Sequence, residues 1–75
     1  MPKLPSIKAA EIVNILKKKG FVLNRVHGSH HVYVRSSDKL TVVVPVHKGR
    51  DLGKGLALAI LKDAQITIEE FLKLH

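Results

Sequence analysis

The stretch FVLNRVHGSHHVYVRSSDKLTVVVPV, residues 21–46, decides the fold. Its β-branched and aromatic residues favour extended chain, and its polar breaks fall at regular intervals. Phe21 to Val26 reads as a first strand, and Gly28-Ser29 marks a tight turn. His30 to Arg35 alternates, with Val32 and Val34 on one side and Tyr33 and Arg35 on the other. Ser36 to Lys39 forms a short polar hairpin loop, and Leu40 to Val46 is the third strand. Pro45 cannot donate a ladder hydrogen bond, so this strand lies at an edge or ends there. Three consecutive strands with short links predict an antiparallel meander.

Outward from this sheet the pattern turns helical. Ile7, Ala10 and Val13, and then Ile12, Ile15 and Leu16, recur at helical spacing, with Ser6 as the expected N-cap. Lys17-Lys18-Lys19 closes that helix as a solvated basic end, favourable to its dipole, and Gly20 follows as a left-handed cap. Met1 to Pro5 reads as an extended lead-in, because two prolines disfavour helix. After the sheet, His47 to Lys54 is a polar, glycine-bearing loop. Leu56 to Ala64 is a second helix, and the capping box Thr67-Ile68-Glu69-Glu70 starts a short helix reaching Leu74. The order predicts a single α+β domain over residues 1–75, a two-layer sandwich with helices on one face of the sheet.

Composition narrows the chemistry. Thirteen Lys and Arg face six Asp and Glu, a net charge of +7 that favours a polyanionic partner, either nucleic acid or an acidic protein. There is no cysteine, hence no disulfide or thiolate chemistry, which fits a reducing cytoplasm. No apolar run reaches the ~20 residues of a membrane span, and the start lacks the apolar core of a signal peptide. Carboxylates are scattered singly apart from Glu69-Glu70, which serves a helix start. That pattern argues against a two-metal nuclease or a glycosidase. His27, His30, His31 and His47 lack the cysteines, the helical HExxH spacing and the neighbouring carboxylate of a zinc site. Gly49 to Gly55 fails as a nucleotide-binding P-loop: three residues separate its first two glycines, and glycine follows the lysine. Lys48, Arg50 and Lys54 beside a helix start are nonetheless suited to a backbone phosphate.

The candidate centre is Gly28-Ser29-His30-His31. Histidine exchanges protons near neutral pH, and a turn glycine lets a ligand approach closely. Neighbours on a strand point to opposite faces. If Val32 and Val34 face the helices, His30 lies at the margin of the buried side. His31 then joins Tyr33 and Arg35 on the open face. Alternation alone does not choose between the two histidines. Tyr33 on an open face is a candidate for stacking on a base, against the alternative of ordinary packing.

Four segments together resemble the HicA (YcfA-like) toxin family of toxin–antitoxin systems. They are LKKKGF at 16–21, RVHGSHHVY at 25–33, VVVPVH at 42–47 and LKDAQITIEEFL at 61–72. The resemblance runs nearly the whole chain in order. It implies an α-β-β-β-α fold like a double-stranded-RNA-binding domain, with a short extra C-terminal helix. It also implies a ribonuclease, an mRNA interferase, that cleaves messenger RNA and arrests translation. A HicB-like antitoxin would cover the active surface. The family's catalytic histidine, directly after Gly-Ser, maps onto His30, and the turn glycine onto Gly28, with Ser29 between them. Such an enzyme is expected to need no metal or cofactor, to act on single-stranded RNA in the cytoplasm, and to be monomeric when free. Arg35, Lys48, Arg50 and Tyr33 are the expected RNA contacts. The alternative is a small RNA-binding module without catalysis. The chain departs from the family at Gly53, where proline is common, and at Gln65, where glycine is common.

Overall fold

A computed structural model describes residues 7–47 and 51–74. Its elements in chain order are β1 (Ile7–Lys8), α1 (Ala9–Lys18), β2 (Phe21–His27), β3 (His30–Arg35), β4 (Leu40–Pro45), β5 (Asp51–Leu52), α2 (Lys54–Asp63) and α3 (Ile68–Leu74). The strands β2-β3-β4 form the expected antiparallel meander, with β2 and β4 at its edges. The helices pack on one face of it, giving the α+β layers that the pattern predicts.

The core follows from helical and strand periods meeting. α1 buries Ala9, Ile12, Ile15 and Leu16, a stripe along one face. α2 contributes Ala57, Ile60 and Leu61, and α3 contributes Phe71. The sheet answers with Phe21, Tyr33, Val42 and Val44, all at most 3% exposed. Each such large apolar side chain contributes about 1.5–3 kcal/mol through burial.

Helix α1 ends as its sequence predicts. Glu11 lies in its first turn and Lys17 and Lys18 in its last, matching the dipole. Gly20 follows at φ +91°, and its N–H donates to the Lys17 carbonyl at 3.1 Å. The start differs. Ser6 lies outside the described residues, and the N-cap position belongs to Lys8, which makes no side-chain cap. Ile7, read as helical, is extended and pairs with Leu52 across β1 and β5. That small second sheet joins segments more than forty residues apart in the chain, so local periodicity carries no trace of it. It also converts part of the expected loop after β4 into strand, and α2 begins at Lys54 rather than Leu56.

The capping box at the last helix forms, and its carboxylate has a second partner. The Glu70 N–H donates to Thr67 Oγ1 at 3.0 Å, the forward bond. The Glu70 carboxylate accepts from the Lys19 ammonium at the end of α1, tying α3 to α1. It also returns toward the Thr67 backbone N–H, which helps Lys19 to hold it below its ordinary range. Before it, Gln65 holds φ +60°, a left-handed conformation at the end of α2 that favours glycine.

Candidate active site

The turn between β2 and β3 has positive φ at Gly28 (+62°) and not at Ser29, the pattern of a type II′ hairpin turn. A Cβ on Gly28 would meet nothing within 4 Å, so glycine is required there by conformation and not by space. The Val46 N–H donates to the Ser29 carbonyl at 2.7 Å, fastening the turn to the chain leaving β4. His30 is therefore the first residue of β3, held on both flanks and solvent-exposed.

Register fixes what surrounds it. His30 lies opposite His27 on β2 and Pro45 on β4, Val32 opposite Arg25 and Val43, and His31 opposite Val26 and Val44. Directly opposed residues share a face. His27, His30, Arg25, Val32 and Val43 thus lie on one face, and Tyr33, Val42 and Val44 on the other. The alternation read from sequence holds, but its assignment to faces is reversed: Tyr33 points into the helix-covered core and His30 stands on the uncovered face. Val32 is only 8% exposed, yet it lies outside the main core cluster.

A β-bulge makes this arrangement possible. Pairing runs Leu23 to Tyr33 and then Arg25 to Val32, so Asn24 is the extra residue. Counted back from the turn without a bulge, Phe21 would share the face of His27. With the bulge, Phe21 and Leu23 share the face of Tyr33, while Arg25 and His27 share that of His30. One strand thereby satisfies both the core and the site.

The expected RNA contacts fare differently from one another. Tyr33 is corrected: at 3% exposure it is a core residue, burial pushes its phenol above the ordinary range, and its ring is closed to a base. Arg35 is not brought to His30. It lies at the far end of β3 on the helix-covered face, its guanidinium 5.0 Å from the Phe21 ring centroid. It donates from Nε and Nη2 to the two Asp38 carboxylate oxygens at 3.1 and 2.8 Å. This pairing holds the Asp38 carboxyl below its usual range. Lys48 and Arg50 lie outside the described residues. The cation that does share the face of His30 is Arg25, which the sequence reading passed over. The signal was its count of two from His27 back along the strand from the turn.

A cleft of about 590 Å³ lies elsewhere, between the end of α1 and α3. Two of its three lysines are engaged internally, Lys19 by Glu70 and Lys18 by the Leu74 carbonyl at 2.9 Å. Among the described residues no three His, Asp or Glu side chains are grouped to hold a metal ion. Nor is any described helix long and apolar enough to cross a membrane.

The sequence of this small basic α+β domain matches a family model across residues 9–66, the HicA toxin of bacterial toxin–antitoxin systems. The chain belongs to the HicA toxin family. It is the toxin component of a toxin–antitoxin system, and a cognate antitoxin is its partner. No curated protein matches the chain closely enough to add to this.

Proposed function

We propose that this toxin is a metal-independent endoribonuclease that cleaves messenger RNA in the cytoplasm, as a free monomer of one working domain, with His30 as general acid or base. The observation that carries the reading is the exposed imidazole of His30 on the uncovered sheet face, beside Arg25 and His27 in a chain of net charge +7. RNA supplies its own nucleophile, the 2′-hydroxyl, so the protein needs proton transfer and positive charge and not a metal-bound water. Gly28 and Ser29 hold the turn that presents His30. The same face offers apolar side chains for the antitoxin contact: Val22 and Val43 are 62% and 46% exposed there.

The test is cleavage of single-stranded RNA in excess chelator by the wild type and by His30→Ala. The wild type cleaves, and the variant loses about 100-fold or more in rate. Its stability stays within about 0.5 kcal/mol, because His30 is exposed, and it still binds the antitoxin. Cleavage by the variant at the wild-type rate overturns the role of His30. Retardation of RNA on a native gel without cleavage by either protein replaces the reading with a non-catalytic RNA-binding module.

A further inference from the structure

We infer that His27 is the second proton-transfer group of this site, acting across the turn from His30; this rests on the ribonuclease reading above. Cleavage by an internal 2′-hydroxyl moves two protons. One leaves O2′ as that oxygen bonds to phosphorus. The other arrives at O5′ as the P–O5′ bond breaks, giving a 2′,3′-cyclic phosphate and a 5′-hydroxyl. One imidazole that is neutral and one that is protonated perform both transfers, and each ends in the other's starting state. Hydrolysis of the cyclic phosphate by water then runs the roles in reverse and restores both. No oxidant, metal or further reactant is needed to balance either step.

Four further histidines were available from the sequence, and geometry separates the three that are described. His31 faces the helix side, half-buried between Val26 and Val44 in register. His47 follows Val46, whose N–H bonds the Ser29 carbonyl, and so lies near the turn but is not a register partner of His30. His27 is the direct register partner of His30, exposed, and on the same face. Opposed residues of this kind have Cβ atoms about 5 Å apart, which lets two rings flank one phosphate and reach the entering and leaving oxygens from opposite sides. The type II′ turn fixes this pairing at one end. The bulge at Asn24 preserves it while Phe21 remains in the core.

The surrounding charges suit the task. Arg25 lies one pleat back on the same face, where it can meet a non-bridging phosphate oxygen. Across His30, β4 presents Pro45 and, further along, Val43, neither of which titrates. The helices pack on the opposite face. The titratable and charged groups that the strand register places on this surface are therefore His27, His30 and Arg25, with His47 next along the chain from Val46.

Single-turnover cleavage of an RNA oligonucleotide is measured across pH 5–9 for the wild type, His27→Ala, His27→Gln and His47→Ala. The expected wild-type profile is bell-shaped, reporting one acid and one base. His27→Ala and His27→Gln lose about 100-fold or more and lose one limb of the bell, while His47→Ala retains both. An oligonucleotide with sulfur in place of the bridging 5′-oxygen has a leaving group that needs no acid. It restores cleavage in whichever of His27→Ala and His30→Ala lacks the acid, and in that variant alone. A merely structural role for His27 would lower the rate without changing the shape of the profile or giving this rescue. If the wild type cleaves and both His27 variants keep its rate and its bell, the inference falls while the ribonuclease reading stands. If the wild type does not cleave at all, the ribonuclease reading itself has failed.

Discussion

The two faces of the β2-β3-β4 sheet are built from the same strands by alternate residues, and they are put to opposite uses. On one face Phe21, Tyr33, Val42 and Val44 are at most 3% exposed and lie against the helices. On the other, Arg25, His27, His30 and Val43 are open to solvent. The first face is specified by burial, where any polar atom is costly. The second is free of that constraint, so it can carry titratable and charged side chains at little expense to stability. A pleated strand gives a small protein both surfaces within a few residues, provided its register is held.

The sharpest way to break this division is to shorten the strand on the far side of the bulge from the turn. Deleting Val22 moves Phe21 one place along β2, so that with the bulge kept it falls on the face of His27. Either Phe21 leaves the core, or the bulge is lost and Asn24 turns onto the face of Tyr33. The expected loss is on the order of 3–5 kcal/mol, as for removing a buried phenylalanine, read as a lower urea midpoint. An unchanged midpoint would show that the bulge does not set the register.

Charge on the open face tests what covers it. Val43→Glu leaves the core untouched, but would bury an unpaired carboxylate beneath a bound antitoxin. Affinity for the cognate antitoxin is expected to fall by about tenfold or more, or at least about 1.4 kcal/mol, by isothermal calorimetry. Stability in urea should shift by less than about 0.5 kcal/mol. Unchanged affinity would move the antitoxin contact to another surface.

Two smaller effects concern the helix layer. Gln65 holds φ +60° at the end of α2, and Gln65→Gly relieves a conformation that glycine adopts freely. A gain of about 0.5–1 kcal/mol is expected in urea unfolding. The opposite sign would mean that the entropy glycine adds to the unfolded chain outweighs the relief.

The smallest effect is acid-dependent. The hydrogen bond from Lys19 holds the Glu70 carboxyl below its ordinary range. The stability from this pair is thus fully present above the ordinary carboxylate pKa and is lost as pH falls through the lowered folded value. Glu70→Gln should flatten part of the decline in unfolding midpoint between about pH 5 and pH 3. A decline identical to wild type would show that the pair contributes nothing measurable, as holds for many exposed ion pairs.

Much of this was legible in the chain. The meander, the Gly20 cap, the turn at Gly28-Ser29 and the strand-ending Pro45 each follow from local preferences that the fold does not override. The helix layer was readable from spacing, although α1 begins later than Ser6 predicts because Ile7 is claimed by a strand from a distant segment. The capping box was visible, but not its tie to α1, since nothing near Glu70 in the chain announces Lys19.

The site was legible as a motif and not as a surface. The sequence by itself determined a basic α+β domain with a histidine at a glycine-bearing turn, because turn chemistry and periodicity act between residues a few positions apart. It also determined that Val32 and Val34 share one side and Tyr33 and Arg35 the other. Only the tertiary structure decided which side is covered. That choice turns on the bulge at Asn24 and on the helices that pack over Tyr33. It withdrew Tyr33 and Arg35 from the site and set Arg25 and His27 beside His30. Alternation gives two sides of equal standing, and burial against distant helices is what makes one of them the inside.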